Sequence, residues 1–329
     1  MTTLLIGGAG YIGSHMVKRL IEENEPIVVL DNLSTGYRDA ILGGDAVIGD
    51  CGSSALLRGI FKKYRASTVM HFASFIQVGE SVSDPAKYYI NNVANTLSLL
   101  NTMVECGVKN FVFSSSAAVY GNAGDDPIRE EQTCAPVSPY GRTKRMIEEA
   151  LEDLSAAYGL NFFSLRYFNA AGADPKARIG ERHNPETHLI PLVLQAASGR
   201  REAITVFGRD YPTPDGTCIR DYIHVDDLCE AHLIALRALR RGEKGGHFNL
   251  GTSSGFSVAE VLDAARRVTG RPVRAIDADR RPGDPPVLVA DSRAFQSRFG
   301  WRPKMPGLEP IIETAWRWET EFFVKGKHG

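Results

Sequence analysis

TLLIGGAGYIG, residues 3–13, is the stretch of sequence that decides the fold. A short apolar run ends at Ile6, and Gly7, Gly10 and Gly13 follow before an amphipathic pattern of helical period begins. Glycine is needed in such a turn because the chain bends sharply and because backbone N–H groups at a helix start must approach a pyrophosphate closely. The spacing therefore predicts the strand, turn and helix of a dinucleotide-binding domain.

Two acidic residues after the next strands indicate which dinucleotide is bound. Asp31 ends the second β-branched run, 18 residues beyond Gly13, where a carboxylate accepts hydrogen bonds from the adenosine ribose. The same carboxylate would repel a 2′-phosphate, so we expect NAD and not NADP. Asp50 follows the third candidate strand, and its two interpretations are a contact to the adenine amino group and a plain turn residue.

The rest of the first half alternates β-branched runs with helical patterns, which predicts an α/β fold with a Rossmann-type doubly wound parallel sheet. Asp84–Pro85 and Ser138–Pro139 are expected to begin helices that end near Cys106 and Tyr158, and Asp226 or Asp227 is expected to cap another. We expect a nucleotide-binding domain over residues 1–170, to which about 218–250 return. A second, smaller α/β lobe over 171–329 is expected to bind the substrate.

Composition excludes several classes of protein. The 329 residues carry a formal net charge of -1, which gives no general attraction to nucleic acid or to an anionic membrane. The five cysteines are widely spaced, so neither a disulfide scaffold nor a metal site is expected. We also see no signal peptide and no run long enough to span a membrane, and we expect a cytoplasmic location.

A candidate catalytic group combines one helix with the strand before it. Tyr140 and Lys144 are four residues apart near the start of a predicted helix, so their side chains share one face. The ammonium group, the positive nicotinamide ring and the helix start would each favour ionised Tyr140, whose pKa is otherwise about 10. Residues 114–116, all serine, end the preceding strand, where parallel sheets bind their ligands.

These residues belong to a series of motifs by which the chain resembles the UDP-glucose 4-epimerases, a family of extended short-chain dehydrogenase/reductases. Besides the glycine turn, the motifs in order are HFASFIQVGES, SSSAAVYG, SPYGRTK, LRYFNAAG, FGRDYPTPDGTCIRDYIHV and RRPGD. The resemblance implies a tightly held NAD and a 4-keto sugar intermediate formed when Tyr140 removes the proton of the 4-hydroxyl. It further implies that Ser116 binds the reacting oxygen and that Lys144 binds the nicotinamide ribose.

The resemblance also implies the remaining contacts. Cofactor-binding residues are expected at Gly7, Gly10, Tyr11, Ile12, Gly13, Asp31, Asn32, Asp50, Phe72, Ala73, Asn92, Ser114, Tyr140, Lys144 and Tyr167. Substrate-binding residues, which would hold UDP-glucose or UDP-galactose, are expected at Ser116, Asn169, His188, Leu189, Phe207, Arg220, Tyr222, Arg281 and Asp284. Arg220 and Arg281 would bind the diphosphate, Phe207 would stack on uracil and Asp284 would accept from the uridine ribose. The second lobe would thus be a UDP-sugar-binding domain, and the resemblance implies a homodimer.

Three positions depart from the family pattern. Ile76 stands where some members have a lysine near the cofactor phosphates, and His188 stands where others have an asparagine that contacts the substrate phosphate. His188 is interpreted either as a substitute donor or as a cap of the following helix. Leu288 has intermediate bulk at a position that influences whether a 2-acetamido sugar fits, so acceptance of N-acetylated sugars stays open.

Other functions remain as alternatives. A 4-epimerase of UDP-pentoses, UDP-uronates or UDP-N-acetylhexosamines would have the same motifs. A nucleotide-sugar 4,6-dehydratase shares the fold and the tyrosine–lysine pair but needs an additional acid and base, where this chain has Ala117 and Ala118. A non-catalytic NAD-binding regulator would have no reason to keep a hydroxyl, a phenol and an ammonium group together.

Overall fold

The structure, a computed structural model, describes residues 1–122, 124, 126–281 and 284–326, so Pro282 and Gly283 of the RRPGD motif lie outside the described residues. The strands are β1 (Thr2–Ile6), β2 (Ile27–Asp31), β3 (Asp45–Ile48), β4 (Ala66–His71), β5 (Asn110–Ser116), β6 (Asn161–Tyr167), β7 (Asn169–Ala171), β8 (Ile204–Phe207), β9 (Ile219–His224), β10 (Gly246–Leu250), β11 (Gly255–Ser257), β12 (Ala275–Ala278) and β13 (Val287–Leu288). The α-helices are α1 (Tyr11–Glu22), α2 (Ser54–Tyr64), α3 (Val78–Ser83), α4 (Pro85–Tyr88), α5 (Asn95–Glu105), α6 (Pro139–Tyr158), α7 (Leu189–Ser198), α8 (Val225–Arg240), α9 (Val258–Thr269), α10 (Arg293–Phe299) and α11 (Leu308–Trp318). Among the described residues, none of these helices combines the length and the apolar character that crossing a bilayer requires.

The first of two compact units contains residues 1–121, 133–167 and 229–249 and is built on a seven-stranded sheet. The strand order is β10–β6–β5–β4–β1–β2–β3, and each neighbouring pair from β6 to β3 runs parallel. Leu4 of β1 lies between Val28 of β2 and Val69 of β4. The predicted Rossmann-type sheet is confirmed.

Helices cover both faces of this sheet, which its buried β-branched and aliphatic strands require. On one face, Leu30 of β2 shares a buried core with Leu99 of α5 and Ile147 of α6. On the other, a Cβ added to Gly8 would lie 2.7 Å from a methyl carbon of Val29. The absence of a side chain at Gly8 therefore lets α1 pack closely against the sheet.

Helix α6 begins and ends where the sequence predicts. The Ser138 side chain accepts a hydrogen bond of 3.1 Å from the backbone N–H of Gly141, and Pro139 occupies the first turn. Gly159 then ends the helix in the left-handed conformation, with a φ of +69°. The helix predicted from Asp84 is less regular, because a π-helical stretch, Tyr89–Ala94, separates α4 from α5.

The second unit contains residues 122–132, 168–228 and 250–329. Strand β9 is paired with β7, β11 and β13, and β8 pairs with β12 in a separate parallel ribbon. Its core combines strand residues such as Val206 of β8 with residues of three helices, including Val193 of α7, Val261 of α9 and Ile311 of α11. A helix after His188 was expected from the sequence, but α9 and α11 were not, although α9 begins with a capping box between Ser257 and Glu260.

The expectation for the start of α8 was wrong. Neither Asp226 nor Asp227 is the cap, because the helix already begins at Val225 and both carboxylates lie in its first turn. The Asp227 carboxylate instead accepts hydrogen bonds of 2.8 Å from the backbone N–H groups of Lys304 and Met305. Residues 229–249 belong to the first unit, within the expected range of about 218–250, while β9 pairs within the sheet of the second unit.

Candidate active site

The turn between β1 and α1 admits only glycine at two of its positions. Gly7 has a φ of +80°, and a Cβ there would lie 2.5 Å from the backbone nitrogen of Ala73. A Cβ on Gly13 would lie 2.0 Å from the carbonyl oxygen of Gly7. Gly10 precedes Tyr11 and Ile12, the first residues of α1, and provides no side-chain cap. A helix start of this kind presents backbone N–H groups and partial positive charge, which suit a pyrophosphate.

Polar side chains at the ends of β2 and β3 are linked to this turn. The Asp31 carboxylate is buried and accepts a hydrogen bond of 2.9 Å from the backbone N–H of Ala9, within the turn. The Asn32 amide donates to Asp50 Oδ2 over 3.1 Å, and Asp50 Oδ1 accepts from the N–H of Gly52 over 2.7 Å. The carboxylate expected to bind ribose is therefore held beside the turn expected to bind pyrophosphate.

The end of β5 and the first turns of α6 bring together the three residues expected to be catalytic. The Ser116 hydroxyl is hydrogen-bonded to the Tyr140 side chain. Lys144 Nζ donates to the carbonyl oxygen of Ser114 over 2.7 Å and to Ser74 Oγ over 2.9 Å. It lies 5.8 Å from the centre of the Tyr140 ring. A hydroxyl, a phenol and an amine thus share one site in the first unit.

The three consecutive serines have different surroundings. The Ser114 hydroxyl is hydrogen-bonded to the Tyr167 phenol. The Ser115 hydroxyl, on the opposite face of the strand, donates to Glu148 Oε1 over 2.8 Å. Ser116 accepts from the backbone N–H of residue 118 over 3.2 Å and is bonded to Tyr140. Strand alternation alone explains why Ser115 is separated from the other two.

Burial has a larger effect on the two ionisable groups than the sequence analysis expected. It raises the pKa of Tyr140, and the hydrogen bond from Ser116 offsets this only in part. Burial also lowers the pKa of Lys144 to about 7, against a smaller raising effect of the Glu148 charge. Burial of Lys144 therefore opposes the charge by which it is expected to hold Tyr140 ionised. An added positive charge in the site would favour the phenolate.

Two further residues that are expected to bind the cofactor, Phe72 and Asn92, are found at or next to the segment that follows β4. The Phe72 backbone N–H donates to the carbonyl oxygen of Ile6 over 2.8 Å, next to the glycine turn. Asn92 Oδ1 accepts from the Phe75 N–H over 2.9 Å, while its amide group donates to the Phe75 carbonyl over 3.0 Å and to Thr143 over 3.2 Å. Asn92 thereby fixes the segment that follows β4 against α6.

In the second unit, two arginines expected to bind diphosphate each contact a second predicted residue. Arg220 Nη2 donates to Asp284 Oδ1 over 3.0 Å, and Nη1 donates to the Pro285 carbonyl oxygen over 2.9 Å. The guanidinium carbon of Arg281 lies 3.9 Å from the centre of the Phe207 ring. Arginines are suited to phosphate because their planar group forms paired hydrogen bonds, and the aromatic ring offers a stacking surface.

The strands around β9 place further predicted residues. Asn169 of β7 pairs with Tyr222 and donates its amide to the Asp221 carbonyl oxygen over 2.9 Å. The Tyr222 side chain is buried, and this burial raises its pKa. Leu288 of β13 pairs with Arg220 across the sheet. The position that influences sugar size in the family is therefore the strand neighbour of a predicted diphosphate ligand.

Sequence reasoning missed two buried carboxylates that support these sites. Glu148 forms two hydrogen bonds of 2.8 Å with the Arg166 guanidinium, and both side chains are at most 3% exposed. Burial raises the pKa of Asp221 to about 6 even though the backbone and hydroxyl of Thr252 and the N–H groups of Ser253 and Ala290 donate to its carboxylate. No local spacing identifies either residue, because their partners are distant in sequence.

One cluster of side chains outside the expected sites has the composition of a metal-ligand set. Potential ligand atoms of four side chains, Glu181, His183, Glu186 and His188, lie within 4.8 Å of one another. Burial alone would lower the pKa of His188, but the two carboxylates raise it to about 10. The spacing ExHxxExH over 181–188 was the signal that the sequence analysis overlooked. His188 directly precedes Leu189, the first residue of α7, and forms no side-chain cap of it.

Comparisons with known proteins identify the family of the chain. The family model described as "NAD dependent epimerase/dehydratase family" matches residues 3–251. The chain is 51% identical over 321 residues to a UDP-glucose 4-epimerase of Halalkalibacterium halodurans, covering 98% of this chain and 96% of the relative.

Two solved structures are similar over nearly the whole chain. A UDP-glucose 4-epimerase from Brucella ovis in complex with NAD has 47% identity and a TM-score of 0.94, covering 96% of this chain and 97% of that one. A Bifidobacterium longum UDP-glucose 4-epimerase in complex with NAD+ and UDP has 34% identity and a TM-score of 0.92, with 98% of both chains covered. With the family model matching most of its length, the chain belongs to the NAD dependent epimerase/dehydratase family.

Proposed function

We propose that the chain interconverts UDP-glucose and UDP-galactose by inverting carbon 4 of the hexose while NAD stays bound. It is an NAD-dependent UDP-glucose 4-epimerase, since relatives with that activity are about half identical to it from end to end. The observation that carries the mechanism is the grouping of Ser116, Tyr140 and Lys144 where β5 ends and α6 begins.

The residues of the first unit fit NAD. The glycine turn leaves room for a pyrophosphate at the start of α1, where side chains on Gly7 or Gly13 would collide with backbone. Asp31 has a hydrogen-bonded carboxylate at the end of β2, which matches the ribose of NAD and disfavours a 2′-phosphate. Bound NAD supplies reversible two-electron oxidation at carbon 4, and its positive charge favours the phenolate of Tyr140.

In the proposed reaction the protein handles the proton and the oxygen. The Tyr140 phenolate accepts the proton of the sugar 4-hydroxyl, and the Ser116 hydroxyl donates a hydrogen bond to the oxygen as it becomes a carbonyl. Lys144, directed by Ser114 and Ser74, binds the nicotinamide ribose and adds positive charge beside the phenolate. The 4-keto sugar then presents its other face, and Tyr140 returns the proton when carbon 4 is reduced.

We assign the nucleotide part of the substrate to the second unit. Arg220 and Arg281 bind the diphosphate, Phe207 stacks on uracil and Asp284 accepts from the uridine ribose. Arg281 covers one face of Phe207, so uracil is expected on the other face. Asn169, His188, Leu189 and Tyr222 complete the substrate contacts. Firm binding of the nucleotide with few contacts to the hexose allows the keto sugar to rotate.

Of the alternative functions, the dehydratase is disfavoured, whereas other UDP-sugars remain possible substrates. Ala117 and Ala118 follow Ser116 in a short 3₁₀ turn, and neither side chain can act as the acid or base that a 4,6-dehydratase needs. The other UDP-sugars remain candidates for the substrate range, with Leu288 as the residue to vary.

We also propose a homodimer that forms through α5 and α6, on which Leu97 and Met146 are exposed. A cytoplasmic location is proposed as well, because it suits five free cysteines.

The activity is tested by incubating purified protein with UDP-galactose and no added NAD, and by following the sugar signals by NMR. We expect UDP-glucose to form until equilibrium is reached. Parallel samples with UDP-N-acetylgalactosamine and a UDP-pentose define the range, and Leu288→Cys against Leu288→Tyr tests the role of bulk at that position. Release of a 6-deoxy-4-keto sugar would instead identify a dehydratase.

A further inference from the structure

The segment before α7 contains a cluster of two carboxylates and two imidazoles that the proposed reaction does not use as a group. His188 Nδ1 lies 2.8 Å from Glu181 Oε1 and 3.1 Å from Glu186 Oε1. His183 Nδ1 lies 3.0 Å from Glu181 Oε1 and 3.7 Å from Glu186 Oε2. The same nitrogen of each ring therefore points at the same pair of carboxylates.

The carboxylates are held in place by contacts outside the cluster. Glu186 Oε1 accepts hydrogen bonds of 2.8 and 2.9 Å from the backbone N–H groups of Thr187 and His188. The Trp318 indole donates over 3.0 Å to the backbone carbonyl of Glu181. The Glu181 and Glu186 side chains are 6% and 7% exposed, whereas His188 is 40% exposed. The donor set is thus fixed at the Glu186 carboxylate and at the Glu181 backbone, and it is open to solvent on the His188 side.

The spacing of the donor atoms is close to that of a metal-bound set. In a tetrahedral Zn²⁺ site, with ligand distances near 2.1 Å, neighbouring donor atoms lie about 3.4 Å apart. The four nitrogen–oxygen distances in the cluster, 2.8 to 3.7 Å, bracket that value. One ligand atom from each of the four residues also lies within 4.8 Å of the other three, so the four side chains converge on a common point.

We propose that Glu181, His183, Glu186 and His188 form a binding site for a divalent transition-metal ion, of which Zn²⁺ is the best candidate. Two imidazole nitrogens favour Zn²⁺ over Mg²⁺ and Ca²⁺, which prefer oxygen ligands throughout. One divalent cation also balances the charge of two buried carboxylates. This site goes beyond the epimerase reaction, no step of which needs it.

The role of the metal is to clamp residues 181–188 ahead of α7. Coordination through Nδ1 places the remaining proton of the neutral His188 ring on Nε2, which then is a fixed hydrogen-bond donor. That outcome suits the position of His188, where the family pattern has an asparagine donor. Loss of the metal would accordingly raise the KM for the UDP-sugar more than it lowers kcat.

The test measures metal content and does not depend on activity. Tag-free protein is stripped with a chelator, dialysed against a slight excess of Zn²⁺ in buffer and analysed by inductively coupled plasma mass spectrometry. We expect one Zn²⁺ per chain. Loading with Co²⁺ alone is expected to produce the intense visible absorption of a four-coordinate ion with nitrogen and oxygen ligands.

Variants locate the ion. The His183→Ala/Glu186→Gln double variant is expected to lose at least ~90% of the bound Zn²⁺, because two of four ligands are removed. His247→Ala, which breaks a histidine–glutamate pair with Glu152 of 2.9 Å elsewhere on the chain, is the matched control and should retain it. Wild-type protein that takes up no Zn²⁺ and gives no such Co²⁺ spectrum, while circular dichroism shows it folded, would overturn the proposal even if the double variant fails to fold.

Discussion

At the scale of single residues, Tyr140 is the group on which the chemistry depends, and it lies in surroundings that oppose its ionisation. It is 9% exposed, and burial raises the pKa of its phenol. Lys144 has the opposite shift for the same physical reason, since burial disfavours every charged form. The positive nicotinamide ring of bound NAD would favour the phenolate of Tyr140, and a phenolate would in turn favour the ammonium form of Lys144.

Tyr140→Phe is expected to lower kcat by at least ~10²-fold, the scale for losing a positioned acid/base. The KM for UDP-galactose and the amount of retained NAD should change little. Tyr158→Phe, at the exposed end of the same helix, is the matched control and should keep full activity. Steady-state kinetics on both variants measure the effect. A kcat of Tyr140→Phe within threefold of wild type would show that Tyr140 is not the catalytic acid/base.

Substitutions of two neighbouring serines are expected to differ in effect: Ser116→Ala should lower activity, whereas Ser115→Ala should lower stability. Ser116→Ala removes the hydroxyl bonded to Tyr140 and should lower kcat by ~10-fold or more, with little change in the melting temperature. Ser115→Ala removes a buried hydrogen bond to Glu148 and should cost about 1 kcal/mol of stability while activity is retained. If both variants lose activity equally, the assignment of Ser116 is wrong.

The pKa of Lys144, lowered by burial to about 7, predicts how stability varies with pH. Between pH 7 and the unfolded pKa of about 10.4, the unfolded chain binds more of the proton than the folded chain does, so stability rises with pH. Below pH 7 both states carry the proton, and the full penalty for burying the charge applies. Lys144→Met removes the titrating amine and therefore its contribution to the pH dependence of stability.

For NAD-free protein, the stability of wild type relative to Lys144→Met should therefore increase by up to about 1.4 kcal/mol per pH unit across that window. Urea unfolding at several pH values measures the difference. A difference that is flat or falls with increasing pH would contradict a buried lysine with a lowered pKa.

At the scale of elements, the β1–α1 turn was the most predictable part of the molecule, because its sequence requirements are local. Gly7 has a positive φ, and a side chain at Gly13 would collide with the Gly7 carbonyl. The same holds for α6, whose Ser138 cap and Gly159 end are visible in the sequence. The π-helical stretch between α4 and α5 has no comparable local signature, so a single helix was expected there.

Gly13→Ala is expected to destabilise the turn and to abolish retention of NAD, because its Cβ would lie 2.0 Å from the Gly7 carbonyl oxygen. Gly59→Ala in α2 is the control: nothing lies within 4 Å of its added Cβ, and the change should stabilise the helix by up to about 1 kcal/mol. Absorbance of bound NAD and the melting temperature test both variants. Normal NAD content in Gly13→Ala would contradict the predicted clash, since it would show that the turn accommodates a methyl group at this position.

At the scale of the whole molecule, the chain crosses between its two units several times, and local patterns do not show where. Residues 122–132 belong to the second unit although both flanking segments belong to the first. β10 joins the first sheet beside β6, far from it in sequence. The motifs around Tyr140 and Arg220 were nevertheless recognisable, since each is contiguous. The ExHxxExH spacing at 181–188 was overlooked, and the structure shows that its four side chains converge.

The central claim, that carbon 4 is oxidised and reduced again without exchange with water, is tested most directly with UDP-galactose deuterated at that carbon. In ordinary water and without added NAD, the account predicts UDP-glucose that retains the deuterium at carbon 4, as measured by mass spectrometry and ¹H NMR. UDP-glucose with protium at that position, formed at the full rate of turnover, would contradict it.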